Sequence, residues 1–113
     1  MALPERIGQH YRVLELLGRG GSAVVYRVCD LGDQREYALK QLLLSGAERD
    51  RARSAQFERE FYLLAQLSHP SVIEVYDFGH DVVGPFYTME LLEGGDLSAR
   101  APLDYRAACE LMV

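Results

Sequence analysis

A glycine-rich segment between two strand patterns constrains the fold of this chain most. Residues 18–25 read GRGGSAVV, which nearly matches G-x-G-x-x-G-x-V. Glycines let the backbone approach a phosphate closely, although any tight hairpin can use them as well. A dinucleotide fingerprint needs a helix directly after the glycines, and a Walker loop needs Gly-Lys-Ser or Gly-Lys-Thr. Neither follows here, because the chain continues into the β-branched and aromatic run VVYRV, which predicts a hairpin.

The rest of the pattern predicts an α+β fold. Runs rich in β-branched and aromatic residues predict strands over 11–17, 23–29, 36–43, 72–78 and 85–92. The run 36–43 could also form a short helix on its apolar content alone. A helix is predicted over about 54–67, because its apolar residues fall on one face: Phe57, Phe61, Leu64 and Leu67. With a turn around Gly79 and Gly84, the order predicts antiparallel hairpins and one packed helix.

Charge and composition exclude several classes of protein. The net charge of −5 argues against a general nucleic-acid or anionic-membrane surface. No run has the pattern of a signal peptide or the length of a transmembrane helix, so no membrane segment is expected in this chain. Two cysteines, Cys29 and Cys109, without metal-ligand spacing favour a reduced, cytoplasmic protein. The three histidines also lack such spacing, and we expect no metal site.

Lys40 is the first charged candidate for a role in binding. It lies two residues after Ala38, so both side chains share one face of the strand, where Ala38 could line an apolar slot beside the lysine. The alternative is a surface lysine on an edge strand. In the predicted helix, Glu60 lies next to the apolar stripe and can face the sheet. Glu58 competes with it, and either carboxylate could instead be solvated and make i,i+4 contacts.

In order and spacing, these features resemble the small lobe of protein kinases. The glycine segment resembles the kinase glycine-rich loop, and residues 37–40, YALK, resemble the V-A-I-K element of the third strand. Residues 87–97, YTMELLEGGDL, resemble the fifth strand and the hinge, and the character is that of bacterial, eukaryotic-like serine/threonine kinases. The resemblance implies a five-stranded antiparallel sheet with one packed helix over 11–92, an N-terminal extension over 1–10, and the hinge and first helices of a truncated large lobe over 93–113.

The resemblance also implies roles for individual residues. Lys40 would bind ATP phosphates and pair with Glu60, and these two are the expected catalytic residues. The loop over the phosphates would comprise Gly18, Gly20, Gly21 and Ala23, where Ala23 replaces the third glycine and is expected to stiffen the loop. The adenine pocket would be lined by Leu17, Val25, Ala38, Ile73 and the gatekeeper Met89, for which ordinary core packing is the alternative. Backbone groups of Glu90 and Leu92 would meet adenine, and Asp96 would meet the ribose or cap a helix.

The catalytic loop that completes kinase chemistry does not occur in this sequence. It contains no H-R-D, whose aspartate accepts the substrate proton. Its one D-F-G, residues 77–79, lies at the end of the predicted strand 72–78 and precedes the hinge-like segment, whereas the aspartate that holds Mg²⁺ in kinases follows the catalytic loop. We therefore expect ATP as the ligand, Mg²⁺ only in a complete kinase, and a protein substrate only when a large lobe is supplied. A helical pattern that reaches Val113 without a stop signal favours a truncated kinase, inactive alone. The alternative is a non-catalytic nucleotide- or partner-binding module.

Overall fold

A computed structural model describes residues 3–44, 46, 50–67 and 73–91 of the chain. These residues form a six-stranded antiparallel sheet and one helix. The elements are β1 (Arg6–Ile7), β2 (Tyr11–Arg19), β3 (Ala23–Asp30), β4 (Glu36–Leu42), α1 (Asp50–Gln66), β5 (Val75–His80) and β6 (Pro85–Met89). The strand order is β1-β2-β3-β4-β6-β5. The predicted α+β fold is confirmed, with a sixth strand, β1, that the sequence analysis places in the N-terminal extension.

One predicted strand is confirmed over its alternative, and one predicted turn lies elsewhere. The run 36–43 forms strand β4 as predicted, and not the alternative helix, because it pairs with β3 on one side and β6 on the other. The turn expected around Gly79 lies later: Gly79 is inside β5, opposite Phe86, and the turn is closed by mutual backbone hydrogen bonds between Asp81 and Gly84. Gly79 is needed for space, since a Cβ there would come 2.7 Å from Cζ of Phe86.

Strand alternation divides the apolar residues between the two faces of the sheet. The helix-side cluster lies between the sheet and α1 and comprises Val25, Ala38, Leu42, Phe57, Phe61, Ile73, Tyr87 and Met89. The far-side cluster lies on the opposite face and comprises Ile7, Tyr11, Val24, Tyr26, Val28, Leu39 and Phe86. Neighbouring residues of one strand therefore belong to different clusters, as Phe86 and Tyr87 do in β6.

The sheet curls until its two ends meet over the far-side cluster. The N–H of Gly8, just after β1, donates to Oδ2 of Asp81 at 3.0 Å, and the hydroxyl of Tyr11 donates to Oδ2 of Asp77 at 3.4 Å. The Phe86 ring lies between Gly8 and Gly79, where a Cβ at either position would approach its Cζ to less than 3 Å. The residues that join β1 to β2 thus close the sheet against β5. In the part of the chain that the structure describes, no helix is both long and apolar enough to cross a membrane.

Candidate functional site

Lys40 and Glu60 form a buried ion pair between the sheet and the helix. Lys40 lies in the middle of β4 and Glu60 in the third turn of α1, and Nζ lies 2.8 Å from Oε1. The side chain of Lys40 is fully buried and that of Glu60 is 10% exposed, whereas Glu58 is exposed. Lys40 is also the only lysine in the chain. The structure therefore brings the two predicted residues together, and Lys40 is not a surface lysine. Burying a charge is costly and is rarely seen unless the charge is paired, as it is here.

Tyr87 is a third residue that contacts this ion pair, and sequence reasoning missed it. It is paired with Lys40 across β4 and β6, its ring is fully buried, and its hydroxyl donates to the same Oε1 of Glu60 at 2.8 Å. The Lys40 ammonium also lies 5.7 Å and 5.9 Å from the ring centroids of Phe57 and Tyr87, within the range of cation–π attraction. A signal was present: Tyr87 shares a face with Met89, and a buried tyrosine hydroxyl needs a partner.

The second carboxylate oxygen of Glu60 has a different environment. Oε2 is buried and has no hydrogen-bond partner among the residues that the structure describes. A buried carboxylate oxygen without a donor is costly, so the site can accept one more donor on Oε2. Within the same ranges, no three His, Cys, Asp or Glu side chains lie close enough together to hold a metal ion.

The predicted adenine walls lie together on the same face as the ion pair. Val25, Ala38, Ile73 and Met89 belong to the helix-side cluster, and Leu17 packs against it. The register brings Ala38 opposite Met89 and Val25 opposite Lys40. Leu91, which was not among the predicted pocket residues, packs against the same cluster. Its position two residues after Met89 was the available signal. The apolar walls and the charged pair therefore form one continuous surface.

The glycine-rich segment forms the turn between β2 and β3. Gly18 is still within β2, paired with Val25, and the N–H of Gly20 donates to the carbonyl of Ala23 at 2.9 Å. Ala23 itself is fully buried in β3, opposite Leu42. The residue that departs from the glycine pattern therefore lies in a strand, and only the segment 20–22 turns. The N–H of Leu43 donates to the carbonyl of Ser22 at 2.8 Å, which holds the turn against the end of β4.

Arg53 attaches the start of α1 to the end of β4. Its guanidinium donates to the carbonyl of Leu43 at 3.0 Å and lies 3.2 Å from Oδ1 of Asp50. Asp50 also accepts the N–H of Gly46 at 2.6 Å. Arg53 and Glu60 are seven residues apart, two helical turns, so they lie on the same side of α1. The attachment of Arg53 therefore holds the helix with Glu60 toward the sheet.

Comparison with known proteins agrees with this arrangement. The model of the protein kinase domain matches residues 11–108. The chain belongs to the protein kinase domain family. A solved structure described as the apo form of PpkA-294 has a TM-score of 0.71 at 24% identity and covers 90% of this chain and 44% of that chain, which shows a shared fold.

Two bacterial kinases illustrate the similarity in sequence. The DNA damage-responsive serine/threonine-protein kinase RqkA of Deinococcus radiodurans is 46% identical over 96 residues, which are 83% of this chain and 14% of that protein. The serine/threonine-protein kinase PrkC of Bacillus subtilis is 33% identical over 116 residues, 99% of this chain and 18% of that protein. This kinase-domain chain thus spans less than a fifth of the length of these relatives.

The structure describes only the start of the predicted hinge, at residues 90–91. The N–H of Glu90 donates to the carbonyl of Glu74 at 2.8 Å, and the N–H of Glu74 donates to Oε1 of Glu90 at 3.1 Å. This reciprocal pair fixes the chain directly after the predicted gatekeeper Met89. Leu92, Asp96 and the helices predicted after them lie outside the described residues.

Proposed function

We propose that this chain is the ATP-binding small lobe of a serine/threonine protein kinase. The observation that carries the proposal is the fully buried Lys40 held 2.8 Å from Glu60 of the helix, on the same face as the predicted adenine walls. A strand lysine aimed by a fixed carboxylate is how protein kinases hold the phosphates of ATP. The family and the fold agree with this assignment.

The residues present fit ATP in their chemistry. Adenine needs an apolar slot, which Leu17, Val25, Ala38, Ile73 and Met89 would supply from one cluster. The phosphates need a cation and a backbone without bulky side chains, which Lys40 and the loop with Gly18, Gly20, Gly21 and Ala23 would supply. Backbone groups of Glu90 and Leu92 would address the adenine edge, and Asp96 would address the ribose. The N–H of Glu90 already donates to the carbonyl of Glu74, so we assign the carbonyl of Glu90 to the adenine edge.

The role of the chain is to bind and orient the nucleotide. Lys40 would hold the phosphate oxygens, and Glu60 would keep the ammonium pointing at them, because a charge-assisted hydrogen bond fixes both groups. ATP, when bound with Mg²⁺ in a complete kinase, supplies the phosphoryl group for a protein hydroxyl. The sequence contains no H-R-D, and its one D-F-G, residues 77–79, lies inside β5, where Asp77 accepts a hydrogen bond from Tyr11. We therefore infer that the base and the metal ligands come from a large lobe. The chain alone would therefore bind ATP weakly and transfer no phosphate.

The same proposal includes the organisation of the chain. Residues 11–92 would form the small lobe, and 93–113 the hinge and first helices of the large lobe. Residues 1–10 would form an N-terminal extension whose Ile7 packs into the far-side cluster. The cytoplasmic location stays a prediction.

Calorimetric titration of the purified chain with Mg-ATP tests the proposal, with Lys40→Met as the control variant. We expect weak binding to the wild type and an affinity at least about tenfold lower in K40M, since a charge-assisted phosphate contact is lost. Equal affinities would refute the role of Lys40. No binding to the wild type at millimolar ATP would instead favour the non-catalytic partner-binding module. Phosphate transfer by the chain alone above the K40M background would refute the inference that a large lobe is required.

A further inference from the structure

The hydroxyl of Tyr87 and the ammonium of Lys40 both donate to Oε1 of Glu60, each at 2.8 Å. From this shared acceptor we propose that Tyr87 is a positioning residue, which holds Glu60 and the helix in place independently of Lys40. The inference rests on the proposed function only in treating Lys40 as the group that meets the phosphates. It adds a second anchor to an ion pair that would otherwise depend on the lysine alone.

The packing of the Tyr87 ring gives its hydroxyl a fixed direction. The ring is fully buried, and its centroid lies 5.1 Å from that of Phe57 and 5.6 Å from that of Phe61, the two buried residues of α1. Tyr87 is itself held in the middle of the sheet, opposite Lys40. One side chain thus contacts the helix through two rings and through a carboxylate. A movement of α1 away from the sheet would break all three contacts together.

The second anchor matters when a phosphate binds. An anion near Lys40 competes with Glu60 for the protons of the ammonium, because both are acceptors for the same donor. A carboxylate held by Lys40 alone would then lose part of its attachment at the moment of binding. The neutral hydroxyl of Tyr87 is drawn less strongly to the anion and stays on Oε1. Glu60 can therefore remain in place while Lys40 turns part of its charge toward the nucleotide.

A purely structural role for Tyr87 makes a different prediction. In that case the hydroxyl only satisfies its own hydrogen bond, and its loss lowers the stability of the whole fold. The far-side cluster provides the matched control, since the buried Tyr11 also donates its hydroxyl to a carboxylate, Asp77, at 3.4 Å. Tyr87→Phe and Tyr11→Phe remove the same atom from opposite faces of the sheet. Both are conservative changes that keep the ring, so both variants should fold.

Because Lys40 is the single lysine, chemical labelling of its amine can report on the effect of Tyr87. An amine-reactive reagent can label only Lys40 and the N-terminal amine, and mass spectrometry distinguishes the two, so the N-terminus is an internal reference. Without nucleotide, we expect Y87F to raise the labelling rate of Lys40 roughly tenfold or more, the size of one lost hydrogen bond to a charged group. Y11F should leave that rate unchanged, even where its thermal stability falls by as much.

A double-mutant comparison completes the experiment. If Tyr87 acts through Glu60, adding Y87F to Glu60→Gln should change the labelling rate far less than adding it to the wild type. Equal acceleration by Y87F and Y11F, or a slower rate in Y87F, would overturn the proposal. So would an undiminished effect of Y87F in the E60Q background. Because no nucleotide is used, these outcomes are independent of the calorimetric titration that tests the proposed function.

Discussion

The two faces of the sheet are built from the same strands but bury different chemistry. The helix-side cluster encloses a charged pair in which Lys40 comes from a strand and Glu60 from the helix. The far-side cluster is apolar and aromatic, and its polar rim is closed by contacts such as Tyr11 with Asp77, where the curled ends of the sheet meet. One face therefore depends on the position of the helix, and the other depends on the curvature of the sheet.

This difference separates the proposed binding site, on the helix side, from the far side, which supports the sheet. A movement of α1 would displace Glu60 on the helix side, so the proposed ATP site depends on how firmly the helix is held against the sheet. A residue on the far side, such as Phe86 between Gly8 and Gly79, has no space to move. The far side thus keeps β4 and β6 in register, and the register brings Lys40 opposite Tyr87.

The largest effect is expected on the helix side, from Glu60→Ala. This change leaves the buried ammonium of Lys40 without its carboxylate, and loss of one partner of a buried pair costs about 3 kcal/mol or more. Urea denaturation should show this decrease in the free energy of unfolding. The matched control is Glu58→Ala, two residues earlier and exposed, which should change stability by less than about 0.5 kcal/mol. Similar losses in both variants would contradict the description of a buried pair.

A smaller effect is expected on the far side, from Gly79→Ala. The new Cβ would come 2.7 Å from Cζ of Phe86, and Gly8 prevents the ring from moving away. Overpacking of this kind costs roughly 1–3 kcal/mol, which thermal or urea unfolding can measure. Phe86→Leu shortens the side chain, so G79A should lower the free energy of unfolding clearly less in the F86L background than in the wild type. Additive losses would show that the Phe86 ring is not what Gly79 accommodates.

The smallest effect is expected at the edge of the far side, at Tyr37. Its hydroxyl donates to Oδ2 of Asp33 at 2.7 Å, and this hydrogen bond raises the pKa of Tyr37 to about 12 from 10.0. The stabilising contribution should be complete below pH 10 and lost as pH rises through about 12. The same bond lowers the pKa of Asp33 from 3.8, so that carboxylate should stabilise the fold above pH 3.8 and cease to do so as the pH falls through its lowered pKa.

Absorbance titration of tyrosine ionisation measures this effect. Tyr37→Phe should remove part of the component that titrates above pH 10, and Asp33→Asn should move that component to lower pH. An unchanged alkaline titration in both variants would contradict the hydrogen bond. Neither variant should change the labelling of Lys40, because Tyr37 packs against the far-side cluster.

The sequence predicted the helix side better than the far side. Alternation along β4 placed Ala38 and Lys40 on one face, and the apolar spacing of α1 turned Phe57 and Phe61 to the sheet, so the neighbourhood of Glu60 could be inferred locally. The structure confirms the α+β fold and brings these residues together. Its helix begins four residues earlier than predicted, at Asp50. There Arg53 is bonded to the carbonyl of Leu43, a tertiary contact that local periodicity does not contain.

The rest depended on contacts between distant parts of the chain. Tyr87 reaches Glu60 only because β6 pairs with β4, and that register is not encoded near either residue. Gly79 was expected in a turn, since glycine commonly marks turns, yet it lies in β5 to make room for Phe86. The two-residue strand β1 is too short for a pattern and forms because its partner β2 is present.

The most direct test of the account is protection of the sole lysine by nucleotide. The wild-type chain is treated with an amine-reactive reagent with and without Mg-ATP above its dissociation constant, and labelling of Lys40 and of the N-terminal amine is followed by mass spectrometry. We predict that Mg-ATP slows the labelling of Lys40 and leaves the N-terminal amine unaffected. An unchanged rate at Lys40, with nucleotide bound by calorimetry, would show that the buried ammonium does not meet the phosphates.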